Sequence, residues 1–185
     1  MNKMQEKYEK EVIPKMMEKF GHINKMAVPK IKKVVVNIGF GKLISGKTSS
    51  ERQKILDDIK NDLMLITGQQ PVFTKARKSI SGFKVRKGMA VGAMVTLREK
   101  RMFDFLERLI NIVLPRSRDF SGIGPKSFDK KGNLTLSIKE HISFPEILPE
   151  KIKRILSFEI TIVTSSQKRE EGLALLTLMG FPIKQ

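Results

Sequence analysis

The chain has 185 residues, with 36 Lys or Arg against 19 Asp or Glu and a formal net charge of +17. A hydrophobic share of 40% is too high for a disordered polycation, and the length suits a single domain spanning residues 1–185. The absence of cysteine excludes disulfide and thiolate chemistry. With no cysteine and only His22 and His141, a structural zinc site is not expected, and no apolar run reaches the roughly 18 residues of a membrane span.

In chain order, MNKMQEKYEKEV mixes acids and bases and lacks an apolar signal core. Apolar residues from Tyr8 to Phe20 have helical spacing, with a kink or fresh helix start expected at Pro14. IKKVVVNIG reads as a strand with Val34, Val36 and Ile38 on one face. Residues 42–53 read as a basic loop. Ile55, Ile59, Leu63 and Ile66 then form a helical stripe that ends near Gly68. Pro71–Thr74 suits a short strand, residues 75–88 a long functional loop, and Val91, Ala93, Val95 and Leu97 a further strand. Met102 to Val113 form a helix closed before Pro115, followed by a loop through Asn133. Leu134–Ile138 and Phe158–Ile162 alternate as strands do, and a last helix covers about 168–179. Without a strict βαβ rhythm, this is an α+β fold: a mostly antiparallel sheet with helices packed on one face, the other face free for a partner.

The positive charge is concentrated. Residues 19–50 hold seven lysines and no acid (Lys19, Lys25, Lys30, Lys32, Lys33, Lys42, Lys47). Residues 63–98 hold Lys75, Arg77, Lys78, Lys84, Arg86, Lys87 and Arg98, again with no acid. Crowded like charges destabilise a compact chain until a counter-charge arrives, so the expected partner is a nucleic acid.

Three motifs bear on that partner. GKLISGKT, residues 41–48, fits the phosphate-binding P-loop pattern, in which Lys47 would reach the terminal phosphates and Thr48 would hold magnesium. A nucleotidase also needs an acidic magnesium partner at a strand end, and none of the expected strands 72–74, 91–97, 134–138 or 158–163 ends in Asp. TKARKSISGFKVRKG, residues 74–88, sets six bases around Ser79, Ser81, Gly82 and Phe83. The bases suit a phosphate backbone, and Phe83 either stacks on an unpaired base or anchors the loop on the core. Lys32, Lys33 and Asn37 lie on the first strand, where Asn37 either meets an RNA edge or ties down the glycine-rich turn that follows. No catalytic constellation, cofactor motif or metal-ligand cluster accompanies them.

The blocks VPKIKKVVVNIGFG, TGQQP, TKARKSISGFKVRKG, VTLREKRMFDFLERL, LPRSRDFSG, KSFDKKGN and FPEI, in this order, closely resemble the bacterial large-subunit ribosomal protein five family, which binds 5S rRNA. The resemblance spans the chain. It implies a structural, non-enzymatic protein of the central protuberance, in contact with 5S rRNA, large-subunit rRNA and other proteins there, ribosome-bound in the cytoplasm or in an organelle. By matching positions, Lys33, Asn37, Gln69, Phe83 and Thr96 are the implied 5S rRNA contacts. Lys75, Arg77, Lys78, Ser79, Lys84, Arg86 and Lys87 form the implied loop to the P-site tRNA. Arg116, Arg118, Lys126 and Lys130, in the loops 116–133, form the implied bridge to small-subunit head protein thirteen. The chain departs from the family in a longer segment after Gly41, in Ala90 for a usual Pro, in Glu99 for a usual Gly and in Ser121 for a usual Arg. It departs again in the stretch after Phe144. A P-loop nucleotidase and a general RNA chaperone are the alternative readings.

Overall fold

The computed structural model describes residues 3–118, 120–148, 150 and 154–184. An N-terminal helix is wound in three stretches: α1 (Lys3–Lys7), a π turn at Tyr8–Val12, and α2 (Ile13–Phe20). Pro14 explains the middle stretch. It has no N–H to give and its ring crowds the preceding turn, and widening that turn lets the helix continue, with the Ile13 N–H donating to Tyr8 O. Gly21, at φ 68°, closes the helix in the left-handed region.

Strand β1 (Ile31–Gly39) leads into a single helical turn, α3 (Gly41–Ile44), and then into α4 (Ser49–Thr67). Most of the expected loop 42–53 is therefore helical. The reason is a capping box: the Thr48 hydroxyl accepts from the Glu51 N–H and the Glu51 carboxylate accepts from the Thr48 N–H, satisfying two otherwise orphaned donors. The backbone N–H and hydroxyl of Thr48 hold the Glu51 carboxyl below its ordinary range. The α4 stripe Ile55, Ile59, Leu63 and Ile66 is fully buried, each side chain contributing about 1.5–3 kcal/mol.

Strands β2 (Val72–Lys75) and β3 (Ala90–Leu97) flank the basic segment. Helix α5 (Glu99–Arg108) then runs through a second π turn, Leu109–Val113, into α6 (Leu114–Arg116). The helix expected to close before Pro115 instead passes it by the device used at Pro14: the Leu114 N–H donates to Leu109 O. Strands β4 (Leu134–Ile138) and β5 (Phe158–Thr164) and helix α7 (Arg169–Met179) complete the elements used below.

The five strands form one sheet in the order β2-β3-β1-β5-β4, with every neighbouring pair antiparallel. One face packs Val34, Val36 and Ile38 with Ala93, Val95, Leu97, Ile160 and Ile162 against the buried sides of α4, α5, α7 and the N-terminal helix. Both Gly132, before β4, and Gly172, in α7, serve this packing. A Cβ on Gly172 would lie 2.3 Å from Gly132 O, so the two backbones meet only because neither residue has a side chain. His141 is buried with them. Its Nδ1 accepts from the Leu156 N–H at 3.2 Å and its ring meets Phe158 edge-on, a structural role.

Candidate nucleic-acid interface

Because side chains alternate along a strand, the register fixes what the second face of the sheet presents. One row across it is Val72, Met94, Asn37, Glu159 and Ser137, and the next is Thr96, Val35, Thr161 and Thr135. Lys33 stands one step further along β1, opposite Val163. Lys33, Asn37 and Thr96 thus share one surface on two adjacent strands. Gln69 joins them at the edge: its side-chain amide donates to Thr96 O at 3.3 Å, where β2 has not yet begun to pair. Thr67 shapes that turn, its hydroxyl donating to Leu63 O and accepting from the Gln69 N–H. Asn37 does not tie down the glycine-rich turn. That turn is held by backbone bonds, Phe40 N–H to Val91 O at 3.0 Å and Leu43 N–H to Phe40 O at 2.9 Å.

This face is polar but nearly neutral. Within these rows only Lys33 and Glu159 are charged, Lys75 opposite Ala90 beyond the β2 bulge adds a cation at the hairpin end, and the Thr135 and Thr161 hydroxyls lie 3.3 Å apart. At one end Asn37, Thr135, Ser137 and Glu159 line a recess of about 700 Å³ whose far side is formed by Ser117, Arg118, residues 120–124 and Ser127. The face is therefore partly walled rather than fully open. Thr135, Ser137, Glu159 and Thr161 are not among the site residues expected from the sequence. Their signal there is the small polar residues at every second position of the last two strands.

Phe83 lies elsewhere. Residues 76–89 prolong β2 and β3 into a hairpin, with Ala76 N–H bonded to Met89 O at 2.8 Å and Gly88 N–H to Ala76 O at 2.9 Å. The tip carries an Ile80–Val85 bridge and the 3₁₀ turn Ser81–Phe83, and the Ser79 hydroxyl accepts from the Lys87 N–H. Lys75, Arg77, Lys78, Lys84, Arg86 and Lys87 are all exposed, as is Ser79. Phe83 is 67% exposed, so it does not anchor the loop in the core.

The residues 116–133 are also distributed. Arg116 and Arg118 share a recess with Glu140, Arg118 pairing with it at 3.7 Å. Lys126 sits in the 3₁₀ turn Pro125–Ser127 and Lys130 on a turn closed by Asp129. Burial opposes ionisation of Asp129, but bonds from Asn133 and from the Lys131 N–H prevail and hold its carboxyl below the usual range.

The P-loop pattern does not form a phosphate cradle. Gly41–Ile44 winds a helical turn, Ser45 is extended, and the Thr48 hydroxyl is occupied in the cap of α4. No group of three or more metal-ligating side chains converges among the described residues, and no helix among them is long and apolar enough to cross a membrane.

A basic chain with an antiparallel sheet, one face polar and a cationic hairpin at its end, has the features of a nucleic-acid-binding protein. Two family models match: ribosomal protein L5 over residues 24–86, and the C-terminus of the same ribosomal family over residues 90–183. The chain is 50% identical over its whole length to large ribosomal subunit protein uL5 of Halothermothrix orenii, with all of that protein covered. It is 52% identical to the same-named protein of Caldanaerobacter subterraneus, 98% of each chain being covered. The like-named protein of Syntrophomonas wolfei is 52% identical, with all of both chains covered. The chain therefore belongs to the ribosomal protein L5 family, and it is a ribosomal protein rather than an enzyme. The boundary between the two models falls at the base of the hairpin, yet β3 from the second region lies between β2 and β1 from the first, so the two regions share one sheet.

Proposed function

We propose that the protein is an architectural constituent of the large ribosomal subunit, acting in the cytoplasm, and that its polar sheet face binds 5S rRNA. The supporting observation is the convergence of Lys33, Asn37 and Thr96 on one surface, with Gln69 hydrogen-bonded at its rim. Amides and hydroxyls suit base edges and 2′-hydroxyls, and the near-neutral field makes this a surface for recognition rather than for bulk affinity. Affinity comes from the cations around it. About six phosphate contacts give a salt slope between about −4 and −5. The exposed hairpin 74–88 reaches the P-site tRNA, and the loops 116–133, with Arg116, Arg118, Lys126 and Lys130, meet the small-subunit head protein thirteen. Large-subunit rRNA and neighbouring central-protuberance proteins complete the environment. Phe83 goes with the hairpin in this scheme, since it lies off the face that carries the other four residues.

The test is a binding titration against 5S rRNA and an unrelated folded RNA of equal length, at several salt concentrations. A clear preference for 5S rRNA is expected. Equal binding to both RNAs, which is the behaviour of a general RNA chaperone, would overturn the proposal.

A further inference from the structure

The hairpin is an arm with little support. Past Gly92, β2 and β3 run on as a two-stranded ribbon, because β1 ends opposite that residue at Gly39. The ladder shifts register at the same level, between Thr74 and Lys75, and such a bulge is where a strand bends. Just inside the bulge the sheet is tight: a Cβ on Gly92 would lie 2.7 Å from Thr74 Oγ1 and 2.8 Å from Ile38 O. A fixed base, a bend and an unsupported ribbon are the parts of a hinge. The ribbon is tied to the segment after β1 at its base, where the Phe40 N–H donates to Val91 O at 3.0 Å, and at its tip, where the Ser45 hydroxyl donates to Phe83 O at 2.8 Å.

Between those two ties lies an open cleft of about 1100 Å³. Its walls are apolar: Phe40, Leu43 and Val91 on the scaffold side, Ile80, Phe83 and Val85 on the hairpin side. Ile80 and Phe83 are 49% and 67% exposed, so the two walls face each other through water. Apolar walls in that position attract, because closing the gap removes both from water. The rim opposes them. Lys42 stands on the scaffold lip and Arg77, Lys78 and Lys84 on the hairpin lip, and no acidic residue lines the cleft to relieve their repulsion. The two forces respond differently to salt. Screening shortens the reach of the charges from about 10 Å at 0.1 M to about 3 Å at 1 M and leaves the apolar attraction in place.

We propose that the hairpin is a charge-gated flap. It bends at the Thr74–Lys75 bulge and closes on the cleft, laying Ile80 and Phe83 against Leu43 and Val91. Repulsion between Lys42 and the three hairpin cations holds it open at low ionic strength, and the Ser45 tether keeps the tip over the cleft. The apolar tip is thus presented when the rim charges act at full strength and withdrawn when they are screened. The device does not depend on what the hairpin contacts, so its test needs no RNA and stands apart from that of the proposed function.

The chain contains no tryptophan, so Phe83→Trp places a single indole on the hairpin wall. Between about 0.1 M and about 1 M sodium chloride the indole emission of the full-length variant is expected to move to the blue and its quenching by neutral acrylamide to fall about twofold. An indole equally accessible at both salt concentrations would overturn the proposal. Adding Leu43→Ala removes the facing wall and is expected to abolish the response while circular dichroism still reports a folded chain. A full response in that variant would mean that salt acts elsewhere, and would overturn the proposal. Adding Lys42→Gln instead is expected to move the response to lower salt, and an unchanged midpoint would overturn the gating by charge. The unaltered protein gives a second reading. Nuclear Overhauser contacts between the methyl groups of Ile80 and Leu43 are expected at high salt and not at low salt. Contacts missing at both, or equally strong at both, would overturn the proposal.

Discussion

In the central rows of the sheet's polar face and at the Lys33 position beside them, Lys33 and Glu159 are the only charged residues among Asn, Thr, Ser, Val and Met. On the hairpin that prolongs β2 and β3, six cations stand in water with no acid among them. The two regions share strands, and in the proposed function they divide the work of binding. Phosphate attraction is long-ranged and indifferent to sequence, so it tolerates an exposed loop. Discrimination by amides and hydroxyls needs donors held to a fraction of an ångström, so it sits on strands whose register is set by a buried core. In the proposed function, separating the two keeps the sheet face free of competing phosphate attraction.

The largest expected effect breaks the support of both regions at once. Gly172→Ala forces a Cβ onto the Gly132 backbone and is expected to cost about 3 kcal/mol, with a fall in the melting temperature and a displaced turn before β4. An unchanged melt would mean that α7 can move away at little cost. Next, replacing Arg77, Lys78 and Lys87 together by Ala should lower the magnitude of the salt slope for RNA by about 2 to 3 while sparing the preference for 5S rRNA and impairing tRNA contact. If the preference collapses with the slope, the two regions do not divide the labour. Asn37→Ala and Thr96→Ala should do the converse. Each should weaken 5S rRNA binding by about 1 kcal/mol, roughly fivefold, at constant slope and with the fold intact. Affinity unchanged in both would place the RNA elsewhere.

Two smaller effects touch the scaffold and leave both regions as they are. Glu99, which follows β3, has φ 50°. Glu99→Gly is expected to raise stability by about 1 kcal/mol in a denaturant melt without altering RNA affinity, because the left-handed backbone then carries no side-chain penalty. At His141, burial pushes the imidazole below its ordinary range, with Asp62 at 4.0 Å opposing that shift. The unfolded chain therefore binds the proton more readily, so the contribution is complete above the ordinary histidine pKa and is lost as pH falls through the lower folded value. Melts from neutral to mildly acidic pH should show this loss, and His141→Asn should flatten it. An identical pH dependence in the variant would assign the loss to carboxylates.

Much of the architecture is legible in the sequence because the pattern is local. Four of the five strands can be read from alternation and α4 and α5 from helical stripes, whereas β2 shows only as a short segment after Pro71. The departures are of two kinds. Residues 42–53 read as a loop although Thr48 and Glu51 spell a capping box, a signal that the sequence does carry. The passage of the helix beyond Pro115 cannot be read, because π turns have no periodicity of their own and exist where packing on both sides outweighs a lost hydrogen bond. Of the five implied 5S contacts, the register unites three, Gln69 joins them by a hydrogen bond, and Phe83 falls in a different cleft.

Composition and local pattern alone determined that this chain folds, that it carries excess positive charge in two acid-free windows, and that its strands alternate between a core face and a polar face. These depend on side-chain chemistry and on periods of two and 3.6 residues, which any window of sequence displays. Only the tertiary structure decided which residues stand together. Asn37, Thr96 and Glu159 become neighbours through strand register, and Ser45 meets Phe83 through the chain's return along the sheet edge. Contacts between residues far apart in sequence depend on how the whole core closes, and no local pattern carries that information.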